Sequence, residues 1–285
     1  MITELKRVFV HIRWPLQSFT LLGFLFGMVA SRVQPSANLL LGFTSWFLLC
    51  AGIVVLNSYY DKDTSPVAGL ERPPKTNISM LFGAWIFKII GFIIALYLNR
   101  VFLLSYISGV ILSVLYSHKS FRLKSYGIIA VLFNFIIGAT TFLVVTSFTT
   151  TNTTIIYLGS TASGIFLAAI YLMMQVHQEN DDKMRDDVSI MVLFGKKVTL
   201  IIAMALMIIA MILSIITLFL AGLSWLYIAV SAIYFSTIIV LSYVWMRKNS
   251  DSISDFKIMN RLTLRLSYAA NLILGLIYIF DILVR

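Results

Sequence analysis

Nine apolar segments, most close to 20 residues long and nearly free of charge, dominate this chain. They run over 15–33, 38–60, 78–98, 101–117, 126–148, 154–176, 198–220, 223–246 and 262–284. Roughly 20 consecutive apolar residues carry an α-helix across a bilayer, where the backbone must satisfy its own hydrogen bonds. Of the 285 residues, 60% are hydrophobic and 12% charged; a soluble domain has about 25% charged. The chain lacks the polar surface to cover a water-soluble fold of this size. The expected fold class is an all-α integral membrane protein of nine transmembrane helices, forming one polytopic domain over 1–285. Basic residues precede the first run, but no small-residue cleavage site follows it, so it reads as a membrane helix and not a signal peptide. The single cysteine, Cys50, excludes a disulfide framework or a cysteine-built metal site.

The links between these segments alternate. One set is short and nearly uncharged. The other is longer and charged: 61–77, 118–125, 177–197 and 247–261. With the N-terminus cytoplasmic, every charged link is cytoplasmic too, and 18 of the 22 Lys and Arg residues fall on that side. Arg32, Arg100 and Arg285 fall outside, and Lys88 lies within a span. The net charge of +10 is then mostly positive-inside bias with attraction to anionic headgroups, and no nucleic-acid partner is needed to explain it.

Carboxylates are not required by that bias, yet eight of the 12 acids sit in two cytoplasmic links. The first link, NSYYDKDTSPVAGLERPP, carries Asp61, Asp63 and Glu71. The third, QENDDKMRDDVSIMVLFG, carries Glu179, Asp181, Asp182, Asp186 and Asp187. Solvated loop charge is one reading. Helical spacing favours another: Asn57 and Asp61 are i and i+4, and Gln178, Asp182 and Asp186 repeat the interval. Two helix ends can so present oxygen ligands to one cavity. Like-charged carboxylates repel unless a cation lies among them, and Mg²⁺ takes few carboxylates and completes its shell with water and phosphate oxygens.

Between the two acidic links lies YSHKSFRLKSYG (116–127), compact and basic, with Lys119, Arg122 and Lys124. Its charge is accounted for either by topology or by a phosphate clamp, Arg supplying a fork and Lys a point charge. The order acid, base, acid suits a metal-bound diphosphate with an apolar tail.

At these residues the chain resembles the UbiA-type intramembrane prenyltransferase superfamily. Asn57, Asp61 and the later ERPP follow that family's first motif, with Ser65 in place of its last Asp. YSHKSFRLKSYG resembles its basic segment. Gln178, Asp182, Asp186, Ser189 and Gly195 follow its second motif, with Gln178 in place of an Asp. The resemblance implies a helical bundle around a central cavity and Mg²⁺-dependent transfer of a prenyl group from a prenyl diphosphate to a lipophilic acceptor, aromatic or a quinone precursor. It implies a bacterial inner membrane, with the active-site loops on the cytoplasmic side. Asn57, Asp61, Asp182 and Asp186 would hold Mg²⁺. Arg72, Arg122 and Lys124 would bind the diphosphate, with Gln178 and Asp63 beside them. Tyr116 would face the leaving oxygen or the allyl cation. Ser65 and Gln178 each remove a carboxylate, which leaves a non-catalytic relative as an alternative.

Lys88 is expected to face the bundle and pair with a polar group such as Asn134 or Gln175. Asn134 and Asn271 are expected to bond between helices, and the small residues of GSTASG (159–164) to mark close packing. A transporter is the rival from another class, but its charge would run along a path through several helices, and here only Lys88 lies deep.

Overall fold

The computed structural model describes residues 4–62, 66–67, 70–176, 178–248 and 253–284. In chain order the helices are α1 (Glu4–His11), α2 (Gln17–Ala30), α3 (Ala37–Asp61), α4 (Ile78–Ala95), α5 (Arg100–Ser117), α6 (Gly127–Thr146), α7 (Thr153–Gln175), α8 (Glu179–Met184), α9 (Ile190–Leu220), α10 (Trp225–Arg247) and α11 (Ile253–Val284). A 3₁₀ turn, Leu123–Ser125, precedes α6.

Every expected apolar segment is helical. Among the described residues, eight helices are long and apolar enough to cross a membrane. The first expected span is shorter: α2 has 14 residues, and at about 1.5 Å per residue it rises about 21 Å, short of a bilayer core of about 30 Å. Pro15 is the reason at its start, because proline has no N–H to donate and its ring blocks the preceding turn. At its other end Arg32 takes a left-handed φ of 51°. The nine expected spans therefore resolve into eight and this short apolar helix.

Helix starts are closed locally. Ser36 Oγ accepts from Leu39 N at 3.1 Å, Asn99 Oδ1 from Phe102 N at 3.0 Å, and Asn152 Oδ1 from Thr154 N at 2.8 Å. Each satisfies a donor that the first helical turn leaves unpaired.

The helices close a ring. α2 packs on α3, α6, α7 and α11; α3 on α4, α5 and α6; α7 on α6 and α9; and α10 joins α9 to α11. Small residues set the tightest contact, between α6 and α7. A Cβ on Gly159 would fall 2.1 Å from the Phe142 ring, and one on Gly164 would fall 2.7 Å from the Phe135 carbonyl oxygen. Asn271 on α11 donates to the Ser18 carbonyl of α2 at 2.8 Å, and Asn134 on α6 donates to Ala130 O of its own helix at 2.9 Å and hydrogen-bonds the Tyr116 side chain of α5. Lys88 is 2% exposed, and its ammonium donates to Ser113 Oγ at 2.7 Å and lies 5.2 Å from the Trp85 ring centroid. Its partners are thus Ser113 and an indole, in place of the expected Asn134 or Gln175. The outer face of α4, with Phe82, Ile86, Ile89 and Ile93 exposed, is the kind of apolar surface that faces lipid chains.

Candidate active site

The last turn of α3 carries Asn57 and Asp61 on one face. The helix stops there because Lys62 is left-handed, with φ 53°. Asn57 Nδ2 donates to Asp61 Oδ2 at 2.8 Å, which turns the amide oxygen away from the carboxylate. That oxygen accepts from the Lys124 ammonium at 2.9 Å, and the same ammonium pairs with Asp61 Oδ1.

Lys124 is brought there by a short stitch of backbone. Arg122 adopts a left-handed φ of 41° and redirects the chain into the 3₁₀ turn. Val188 N then donates to Ser125 O, and Gly127 N to Val188 O, both at 2.8 Å. Two links that are some 60 residues apart in sequence are so joined side by side. Gly127 is required at this junction, since a Cβ would meet Ile190 N and Val188 O, each at 2.8 Å. Side chains reinforce the join. Arg122 forks onto Asp187 at 3.0 and 2.9 Å, and Arg185 bridges Asp187 at 3.2 Å and Asp182 Oδ1 at 2.9 Å.

Asp182 lies on α8 and is 5% exposed. Its Oδ2 is buried without a hydrogen-bond partner of good geometry. Burial holds the Asp182 carboxyl above its usual range; Asp187 adds to this, and the Ser189 hydroxyl and the Arg185 guanidinium only partly offset it.

Asn57, Asp61, Lys124, Gln178, Asp182 and Arg185 line the polar end of one cavity, with Arg13 beside them. The other walls are largely apolar: Phe19, Ile53, Phe133, Ile137, Leu167, Ile170 and Met174. Its empty volume is about 1240 Å³, including the space at its mouth. Tyr116 lies on the wall, 8% exposed, with its ring stacked on Phe133 at 4.0 Å.

Several expected site residues lie elsewhere. Asp186 does not extend a helical ladder from Asp182: α8 ends at Met184, Asp186 is left-handed with φ 57°, and its side chain is exposed. The inward carboxylate is Asp187, held by two arginines. Arg72 is exposed and absent from the cavity wall. Its segment is held outward by Glu71 pairing with Arg261 at 2.5 Å and by His11 Nε2 donating to Pro74 O at 3.0 Å. Arg122 stands one layer behind the wall on Asp187. Asp63, Ser65 and His177 lie outside the described residues. The fold also brings Arg13, counted in the sequence with the cytoplasmic charge, and Arg185, which stands beside the second acidic cluster, to the cavity. Arg13 is 7% exposed and donates to Ser58 Oγ at 2.9 Å; Arg185 holds Asp182. The signal for Arg13 was slight, an arginine just ahead of a proline-broken apolar run.

The sequence matches the UbiA prenyltransferase family over residues 18–268. The chain belongs to that family. A UbiA homologue from Archaeoglobus fulgidus bound to DMAPP and Mg²⁺ is similar in structure, with a TM-score of 0.69 at 18% identity, covering 93% of this chain and 99% of that one. A homologue from Aeropyrum pernix K1 in its apo form aligns with a TM-score of 0.67 at 17% identity, over 94% and 98% of the two chains. A digeranylgeranylglyceryl phosphate synthase aligns with a TM-score of 0.62 at 21% identity, over 95% and 97%. No curated protein matches the sequence. At these identities the likeness is one of fold, and the UbiA bundle is the frame on which the cavity of this chain is built.

Proposed function

We propose that this protein transfers a prenyl group from a prenyl diphosphate, bound with Mg²⁺, to a lipophilic acceptor of the aromatic or quinone-precursor class. The observation that carries the reading is a single cavity with two chemistries. Asp61 and Asp182, from helices in different halves of the chain, line its charged end, and apolar side chains line the rest. The A. fulgidus homologue bound to DMAPP and Mg²⁺ supports the same ligand pair here.

The donor set fits Mg²⁺. Among the described residues no group of three or more His, Cys, Asp or Glu could hold a metal alone, so the ion would rely on diphosphate and water for most of its shell, as Mg²⁺ does. Asp61 and Asp182 would hold it, with amide oxygens from Asn57 and Gln178 at hand. When bound, Mg²⁺ would neutralise charge on the diphosphate as it departs. Lys124, Arg13 and Arg185 add fixed positive charge at the same end, where negative charge grows as the C–O bond breaks. The apolar walls keep water from the allylic centre, and the Tyr116 ring offers a π-face to it.

The cytoplasmic side is assigned to the N-terminus and charged links by their Lys and Arg excess, and a bacterial inner membrane suits that arrangement. The test is transfer by the purified protein in lipid. Geranyl, farnesyl and geranylgeranyl diphosphates would be offered with a panel of aromatic and quinone-precursor acceptors, with and without Mg²⁺. Product that requires Mg²⁺ and disappears in Asp61→Ala and in Asp182→Ala is the expected result. Failure to bind any prenyl diphosphate would overturn the reading.

A further inference from the structure

A second cavity lies farther from the charged end than the candidate active site. It is walled by Leu22 and Phe26 of α2, Ala162 of α7, Phe235 of α10 and Leu274 of α11, and it encloses about 470 Å³ of empty space, its mouth included. Among the described residues, none that lines it is charged. A void of this size forfeits packing that a fold would otherwise gain, and a largely apolar one takes hydrocarbon in preference to ions or water.

The two cavities follow one another along the same two helices. On α2 the first takes Gln17, Phe19 and Thr20 and the second begins at Leu22; on α7 the first ends at Leu167 and the second begins at Phe166. One aromatic contact stands between them. Phe19 lines the first cavity and Phe166 the second, and their rings meet edge to face with centroids 6.1 Å apart. Both are buried. Phe166 is backed by Tyr234 at 6.0 Å and Phe235 at 5.7 Å, which hinder its rotation. Along α3 the first cavity runs from Asn57 down to Cys50, two turns of helix or about 10 Å. At that depth the Cys50 thiol hydrogen-bonds Thr20, the neighbour of Phe19. This is the reach of an extended geranyl chain whose diphosphate sits at the charged end. A farnesyl chain is one isoprene unit longer and meets the Phe19–Phe166 contact.

We infer that the Phe19–Phe166 contact is a length stop that selects a geranyl-length donor, and that the second cavity is the space a longer tail enters once the stop is removed. This rests on the prenyl-transfer reading and supplies the donor length which that reading leaves open. The two phenylalanines act on specificity alone: they touch the end of the tail and no reacting atom. A packed aromatic wall resists an extra isoprene unit because displacing it forces neighbouring side chains off their rotamers.

The test is Mg²⁺-dependent binding of geranyl, farnesyl and geranylgeranyl diphosphates to the full-length protein in lipid, with no acceptor present. Wild type is expected to bind the geranyl ester about tenfold or more tightly than the farnesyl ester, the scale of a misfit in an apolar pocket. Phe166→Ala joins the two cavities and is expected to raise the farnesyl-to-geranyl affinity ratio by a similar factor. Ser231→Leu, on the α10 wall of the second cavity, is expected to cancel that gain when added to Phe166→Ala, because it refills the space. Phe166→Leu keeps more of the packing and is expected to move the ratio part of the way, so it carries the test where Phe166→Ala does not fold. Equal or tighter binding of the longer esters by wild type would overturn the inference, since the end of the tail then lies in lipid and not against a stop. A ratio unmoved in the Phe166 variants would overturn it too, as would a gain that Ser231→Leu leaves in place. Wild type that binds every length alike sinks this inference alone, whereas wild type that binds no prenyl diphosphate sinks the prenyl-transfer reading beneath it.

Discussion

The Lys124 ammonium rests on the Asp61 carboxylate, 63 residues earlier in the chain, with the two side chains only 8% and 10% exposed. The pair holds the charged end of the cavity in shape, and each partner compensates a charge that burial alone would not allow.

Removal of one partner is therefore costly. Lys124→Met leaves Asp61 buried beside Asn57 with its nearest cation gone, and the expected loss is about 3–5 kcal/mol, the range for breaking a buried pair. Mg²⁺ added with a prenyl diphosphate is expected to return part of that stability, since the ion replaces the missing charge. Thermal unfolding in lipid, with and without both ligands, measures this; equal destabilisation under all conditions would contradict it.

Asp182→Asn separates binding from folding. The native carboxyl is held above its usual range by burial. The native state therefore binds more protons than the unfolded chain between the usual value of 3.8 and the raised one. Stability accordingly falls as pH rises through that window, and at neutral pH the ionised group is a burden on the protein without metal. Neutral asparagine is expected to leave stability at pH 7 unchanged or higher, with Arg185 still held by Asp187, while Mg²⁺-dependent binding of prenyl diphosphate is lost. Paired unfolding and binding measurements decide the point.

Gly127→Ala is expected to loosen the stitch between the second and third charged links, because its Cβ would meet backbone atoms at 2.8 Å on both sides. Overpacking against backbone costs about 1–3 kcal/mol, and here it moves Lys124 relative to Asp182, so transfer should fall by more than stability does. Gly275→Ala is the control. Nothing lies within 4 Å of its Cβ position, and it should gain up to about 1 kcal/mol from helix propensity.

His11 makes the docking of α1 pH-sensitive. Its Nε2 donates to Pro74 O, and burial, with Arg13 and Arg7 nearby, holds its pKa below 6.5. Between the depressed value and 6.5 the native state binds fewer protons than the undocked chain. The contribution is thus fully present above pH 6.5 and is lost as pH falls through that window. Protection of residues 4–11, read as hydrogen exchange relative to the intrinsic rate at each pH, is expected to fall between pH 7.5 and 5, and His11→Gln should flatten the dependence.

Helix positions were legible because an apolar medium leaves few choices. A run of some 20 apolar residues between polar links has to be helical, and α3 through α7 begin and end within a few residues of the expected limits. Pro15 is equally visible in the sequence, whereas the length of α2 also depends on the left-handed turn at Arg32 that ends it. Within the site, Asn57 with Asp61 and Gln178 with Asp182 could be paired by helical periodicity. Periodicity fails where a helix stops. Asp186 was placed on an extension of α8, but a left-handed residue ends the ladder there and hands the inward position to Asp187. The resemblance of ERPP to the family's first motif implies Arg72 over the phosphate; Glu71, Pro74 and their partners turn that segment outward.

What the sequence by itself determined is the helical, apolar character of the nine segments, the alternation of charged and uncharged links, and the residue types proposed to hold a metal-bound diphosphate. Each follows from local composition or from spacing within one helix turn, where covalent geometry fixes which side chains share a face. What only the tertiary structure decided is which charges face the cavity. Arg13, Arg185 and Asp187 take their roles from contacts with residues 2 to 65 positions away and from the crossing of the 118–126 and 178–189 links, and desolvation then separates a buried charge that must be paired from an exposed one that need not be.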